Sequence, residues 1–296
     1  VRPRLGLGSS GFTSDRRAAA RAVLDEWASI GGRLIDTAAV YGGGHSEQIV
    51  GEWLRSTGSR GDVVLLTKGA HPDLVTWSSR LDPASIRADL AQSLERLRVD
   101  LVDIYLVHRD DAGVPAGEVI DALNEHVSAG TIRSIGASNW TPERVDEANA
   151  YAADRGVAGF TLVSNHLGLA NEVRALWPGT MSAFREWHAR TGMPLLAWSA
   201  QSQGYFADDF EPEDAGTPTA QTFDSPVNRG RRERAFELAR RSGVSATQIA
   251  LAWVLNQPIA PYALVGARTP ESLRAAWAAA DIVLSEGELA WLEGGS

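Results

Sequence analysis

The feature that most constrains this chain is an alternation of strand-like and helix-like segments that repeats eight times. Short apolar runs end at Gly8, Asp36, Lys68, His108, Asn139, Asn165, Ser199 and Val265, and helical periodicity follows each. No long antiparallel signature interrupts the pattern. The expected architecture is therefore a closed α/β barrel, a (β/α)8 TIM barrel, as one domain over residues 1–296. An open doubly wound sheet is the competing reading, but no G-x-G-x-x-G follows a strand. At 296 residues and 44% hydrophobic content, one large core is affordable.

Punctuation sets the expected boundaries. Ser14 or Asp15 can cap a helix carrying Ala20, Val23, Leu24 and Trp27. The strand 34–36 follows, then Gly42-Gly-Gly44 and a helix over 46–55. Asp82-Pro83 and Thr141-Pro142 read as N-caps followed by proline at the first helical position. Ser245 with Gln248, and Ser285 with Glu288, read as capping boxes. Further helices are expected over 115–129, 181–190 and 229–242. Three connections are long: 69–81, 168–180 and 200–228, the last without any period and read as a mobile flap.

Composition excludes several partners. The formal charge is −9, without a basic stripe, which argues against nucleic acid. No apolar run approaches the ~20 residues that span a bilayer, and Val1-Arg-Pro-Arg4 has no apolar signal-peptide core. The absence of cysteine excludes disulfides and thiolate metal sites. A cytoplasmic enzyme acting on a small molecule is the default expectation.

Three strands carry ionisable groups at their carboxyl ends. Leu34-Ile-Asp36 leads into a loop bearing Tyr41, Val63-Val-Leu-Leu-Thr-Lys68 ends in lysine, and Leu101-Val-Asp-Ile-Tyr-Leu-Val-His108 ends in histidine. A parallel barrel builds its active site at those ends. The set suits proton delivery to a carbonyl oxygen. Lys68 beside Tyr41 is expected to lower the phenol pKa, Asp36 to hold the ammonium charged, and His108 to orient the substrate. With no metal site or nucleophile–base pair to activate the electrophile, a cofactor hydride is the natural partner. A Schiff-base aldolase using Lys68 is the competing chemistry.

At these residues the chain resembles the aldo-keto reductase superfamily, from Leu5 to about Leu292. The matching stretches are I-D-T-A and Y-G within 35–42, L-L-T-K-G at 65–69, V-D-I-Y-L-V-H at 102–108, I-G-A-S-N-W at 135–140 and V-G-A-R-T-P-E at 265–271. The resemblance implies NADP(H) as cofactor and NADPH-dependent reduction of an aldehyde or ketone, a sugar among the candidate substrates, to the alcohol, with Tyr41 as general acid and Asp36, Lys68 and His108 as its partners. It also implies that Ser138, Asn139 and His166 hold the nicotinamide carboxamide and that Trp198 stacks on the ring. Ser199, Gln201, Gln203 and Gly204 would follow the pyrophosphate, and Arg268 and Thr269 would take the 2′-phosphate. Gly8, Ser9, Gly266 and Ser272 complete the implied cofactor set. His166 stands where the family usually has Gln, and Ala275-Ala276 where it usually has Glu-Asn, so adenine contacts are expected to be thinner. The family's N-terminal hairpin and long C-terminal tail have no counterpart in these residues. An NADPH-binding regulatory subunit with slow turnover is the alternative the resemblance allows. Trp77, Trp140 and Trp177 are candidate pocket residues, whereas His71 and the pair Asp110-Asp111 read as packing or solvated groups.

Overall fold

Parallel strands covered by helices are buried on both faces, so they read as nearly continuous apolar runs. The computed structural model, which describes residues 3–173, 184–211 and 216–294, follows that rule. In chain order it runs β1 (Leu5–Gly8), α1 (Arg17–Ser29), β2 (Leu34–Asp36), α2 (His45–Thr57), β3 (Val64–Gly69) and α3 (Pro83–Leu97). Then come β4 (Val102–Val107), α4 (Ala116–Ser128), β5 (Ile132–Ser138), α5 (Pro142–Arg155), β6 (Val163–His166) and α6 (Arg185–Thr191). The chain continues through β7 (Leu195–Trp198), α7 (Pro218–Phe223), α8 (Pro226–Ser242), α9 (Ala246–Leu255), β8 (Tyr262–Gly266), α10 (Pro270–Ala278) and α11 (Glu286–Glu293). The eight strands close into a barrel in sequence order. Among the described residues no helix is long and apolar enough to cross a membrane.

By internal contacts the chain forms two compact units. The first comprises Gly6–Ser164 and Gly266–Leu273; the second comprises Val1–Leu5, Asn165–Val265 and Arg274–Ser296. In the first, Leu7, Ile35, Leu65, Leu106 and Ile135 are fully buried on the strands, and Trp27 and Trp53 are fully buried on helices. In the second, Leu195, Leu196, Tyr205, Phe206, Phe223 and Trp253 form the core. Truncating such an aromatic to alanine typically costs ~3–5 kcal/mol.

The expected caps at Asp82, Thr141, Ser245 and Ser285 are present, the last two as complete capping boxes. Ser14 and Asp15 do not cap α1: they lie in a separate 3₁₀ turn, Ser14–Arg16, with α1 beginning at Arg17. Of the stretch expected to form a mobile flap, the described residues 200–211 and 216–228 are packed. Tyr205, Phe206 and Phe223 are buried in it, and Thr217 caps α7 by accepting from the Ala220 amide. Arg232 donates to the carbonyls of Tyr205, Ala207 and Phe210. Trp177 and Met181 lie outside the described residues.

Candidate active site

Three strands of the first unit, β2, β3 and β4, bring a polar residue to the carboxyl end or just past it. Asp36 is the last residue of β2, Lys68 the penultimate residue of β3, and His108 follows β4 directly. Register aligns them: Asp36 faces Leu66 across the ladder, Lys68 faces Leu106, and the His108 amide donates to the Gly69 carbonyl at 2.8 Å. Tyr41 opens a 3₁₀ turn, Tyr41–Gly44, whose three glycines have φ of 57°, 64° and 92°. Only glycine occupies three consecutive left-handed positions without strain. At Gly44 a Cβ would also lie 2.9 Å from the Arg96 side chain. Beneath this turn, the fully buried Glu47 carboxylate accepts from Thr67 at 2.6 Å and from Arg96 at 2.7 Å.

The side chains converge. Lys68 Nζ donates to Asp36 Oδ1 at 2.5 Å, lies 3.1 Å from Tyr41 Oη, and donates to the Thr37 carbonyl at 3.1 Å. The Tyr41 and His108 rings meet edge-on, with centroids 5.8 Å apart. Burial alone would lower the Lys68 pKa, but the adjoining Asp36 and Tyr41 reverse this and raise it, so the amine stays an ammonium. Burial raises Asp36 above its ordinary value against the pull of Lys68. Tyr41 corrects the expectation. Burial raises its pKa, and the Lys68 charge offsets this only in part, so the phenol stays protonated more firmly than a free tyrosine. His108 is held well below the ordinary histidine value by burial, with Lys68, Arg109 and His71 opposing a further charge. It is a neutral ring, and among the described residues its buried Nδ1 has no hydrogen-bond partner.

His71, expected to be a packing or solvated residue, is half-buried and sits edge-on to His108, centroids 5.0 Å apart. The reason is local. Ala70 takes a left-handed φ of 57°, its amide donates to Asp89 Oδ2 at 2.8 Å, and the chain turns His71 toward His108 as it leaves β3. Its Nδ1 lies 2.8 Å from the Pro72 carbonyl, which only accepts, so Nδ1 carries the proton. Trp77, more than half exposed, continues outward from His71 with centroids 6.5 Å apart. The loop is tightly built: Asp73 Oδ1 accepts from the Val75 and Thr76 amides. Glycine and alanine beside a histidine were the only sequence signal for this arrangement.

Other expectations shift. Trp140 is no pocket residue: it is fully buried against Phe160, with the Arg144 guanidinium 5.0 Å from its ring centroid. Asp110 is not solvated but held by Arg144, whose Nε lies 3.1 Å away. Asp111 accepts from the Gly113 amide.

Of the implied cofactor residues, the first unit holds Gly8, Ser9, Ser138, Asn139, Gly266, Arg268, Thr269 and Ser272. Ser138 Oγ donates to the Ser164 carbonyl, and Asn139 Nδ2 donates to the His108 carbonyl at 3.2 Å. Ser9 donates both its amide and its hydroxyl to the Asp36 carbonyl. At the start of α10, Ser272 Oγ accepts from the amides of Arg268 and Thr269. Those two amides are therefore already satisfied, and the exposed Arg268 side chain stands beside them as a cationic donor.

The second unit holds His166, Trp198, Ser199, Gln201, Gln203 and Gly204. His166 is the last residue of β6 rather than lying beyond it, and its ring is 5.1 Å from that of Trp198, the last residue of β7. Burial pulls the His166 pKa down to about 4. His166 Nε2 and Trp198 Nε1 are both buried without a hydrogen-bond partner among the described residues. Ser199, Ser202 and Gln203 take φ of 53°, 48° and 53°. Such strain in non-glycine residues clusters at ligand sites. Orphaned polar atoms beside strained backbone fit a polar, planar ligand edge.

A model of the Aldo/keto reductase family matches residues 4–294. The uncharacterized oxidoreductase YrpG of Bacillus subtilis is 30% identical, covering 95% of this chain and 88% of the relative. Norsolorinic acid reductase stcV of Emericella nidulans is 29% identical, over 92% of this chain and 70% of the relative. An aldo-keto reductase from Klebsiella pneumoniae, solved in complex with NADPH, superposes with a TM-score of 0.76 at 26% identity. That match covers 99% of this chain and 90% of the other.

Proposed function

We propose, since the chain belongs to the aldo/keto reductase family, that this NADP-dependent oxidoreductase reduces an aldehyde or ketone to the alcohol with Tyr41 as general acid. The observation that carries the reading is the line of three groups: Asp36 2.5 Å from the Lys68 ammonium, and that ammonium 3.1 Å from the Tyr41 hydroxyl. When bound, NADPH supplies hydride to the carbonyl carbon. Tyr41 gives its proton to the carbonyl oxygen, so one C–H and one O–H bond form and a phenolate remains. The Lys68 ammonium stabilises that phenolate, and Asp36 keeps the ammonium charged and in place. His108, kept neutral by burial, can donate a hydrogen bond to the same oxygen without competing as an acid.

The cofactor reading is supported unit by unit. In the second, Trp198 would stack on the nicotinamide ring and His166, whose buried Nε2 has no partner among the described residues, would hold the carboxamide, with Ser199, Gln201, Gln203 and Gly204 along the pyrophosphate. In the first, Asn139 donates to the His108 carbonyl with Ser138 beside it, and Arg268, just before α10, would take the 2′-phosphate. An aldolase reading requires a neutral Lys68, which the Asp36 ion pair opposes.

The substrate class follows from the rings that lead away from Tyr41. His108, His71 and Trp77 continue from it, with centroid separations of 5.8, 5.0 and 6.5 Å. Leu74 and Val75 are exposed on the same loop as Trp77. That surface favours a carbonyl borne on an aromatic body over a polyhydroxylated sugar. The likeness to a norsolorinic acid reductase supports the same direction. The test is a panel of aryl aldehydes, polycyclic aryl ketones, aliphatic aldehydes and aldoses, assayed by NADPH oxidation. Higher kcat/KM for aryl carbonyls is expected; preference for aldoses refutes the substrate class. Absence of turnover with every carbonyl, alongside tight NADPH binding, refutes the enzyme reading in favour of a regulatory subunit.

A further inference from the structure

Far from the catalytic groups, the first unit carries a cleft of about 450 Å³ at the amino ends of β3, β4 and β5. Four arginines line it, Arg55, Arg60, Arg98 and Arg133, against one lining carboxylate, Asp100. The concentration of positive charge runs against a chain whose formal charge is −9.

Two of the arginines are paired. Asp103, buried on β4, accepts from Arg133 Nη1 at 2.7 Å through Oδ1 and lies 2.9 Å from Arg60 Nη1 through Oδ2. It also accepts from the Leu65 amide at 2.9 Å. Arg60 Nη2 donates to the Leu101 carbonyl at 3.0 Å. These contacts hold the Arg60 guanidinium in place, whereas Arg133, two-thirds exposed, makes the one pairing with Asp103. The other two are uncommitted. Among the described residues neither Arg55 nor Arg98 has a side-chain hydrogen bond or ion pair. Arg98 also occupies a left-handed φ of 56° as the C-cap of α3, where glycine would sit without strain. Leu54, Val63 and Leu101 give the same cleft an apolar wall.

We propose that this cleft binds a small organic phosphate, its phosphate on Arg55 and Arg98 beside the paired Arg60 and Arg133, and its carbon body against the apolar wall. Guanidinium forks match phosphate oxygens bidentately. The volume lies within the ~300–1,000 Å³ range of small-molecule sites and exceeds what a bare phosphate fills. The bland account is that Arg55 and Arg98 only complement the carboxyl ends of α2 and α3.

The test uses enzyme saturated with NADP⁺, so that no phosphate probe reads the cofactor site. Phenyl phosphate and inorganic phosphate are titrated by calorimetry at low salt. Wild type is expected to bind one phenyl phosphate, more tightly than inorganic phosphate. Arg98→Gly relieves the left-handed backbone and so folds; it should weaken binding by roughly tenfold or more. Arg55→Ala/Arg98→Gly should abolish binding while NADPH turnover is unchanged. No saturable binding in wild type, or wild-type affinity in both variants, overturns the proposal in favour of helix capping. Equal affinity for the two probes overturns the assignment of an organic ligand. Failure to take up NADP⁺ at all counts against the reductase reading, not against the cleft.

Discussion

Lys68 donates to Asp36 across 2.5 Å with both side chains almost removed from solvent, at 3% and 4% exposure. A buried pair of this kind is worth little over an apolar replacement, but breaking one side strands a charge at about 3–5 kcal/mol. Lys68→Met should therefore lower stability by about that amount and also abolish turnover. The double variant Asp36→Asn/Lys68→Met should regain most of the stability and none of the activity. Urea unfolding with parallel single-turnover assays checks it; strict additivity of the two losses would show that the residues do not act as a pair.

Tyr41→Phe removes only the transferable proton. Reduction should fall by roughly 10²–10⁴-fold, with NADPH affinity by fluorescence titration unchanged. Because burial raises the Tyr41 pKa, wild-type kcat/KM for reduction should stay level through neutral pH and fall only above ~10, the ordinary phenol value. Inflection near pH 7 would assign the acid to another group.

His166 links stability to pH. Its folded pKa is depressed from 6.5 to about 4 by burial. Below about pH 6.5 the unfolded chain takes up a proton that the folded protein refuses, so stability falls as pH drops toward 4 and levels off below it. The stake is of order 3 kcal/mol. His166→Gln should flatten the urea midpoint over that window, leaving the slope that His108 contributes in the same direction. An unchanged profile would place the acid sensitivity elsewhere.

Arg268 should set cofactor preference. Its neighbouring amides are already taken by Ser272, so a 2′-phosphate would depend on the guanidinium. A charge-assisted hydrogen bond of roughly 1.5–3 kcal/mol predicts a ten- to hundredfold rise in KM for NADPH in Arg268→Ala, with NADH nearly unaffected. Equal losses for both cofactors would make the residue a support for the loop.

The alternation of apolar strands and periodic helices determined the barrel, because burying both faces of a parallel sheet leaves a pattern that no local accident imitates. The same pattern put Asp36, Lys68 and His108 at strand ends, and strand ends of a closed barrel converge whatever the loops do. Capping was legible too: Asp82, Thr141, Ser245 and Ser285 act on amides within three residues. What the sequence could not determine depends on distant neighbours. Tyr41 looked like a phenol acidified by Lys68, but burial, contributed by the whole fold, outweighs one nearby charge. Trp140 is buried against Phe160, twenty positions away, and Asp110 is held by Arg144, more than thirty positions away. His71 gained its place beside His108 only through the left-handed Ala70 and its bond to Asp89. The described residues within 200–228 are held by three buried aromatics and Arg232, and contacts of that range leave no trace in a local window.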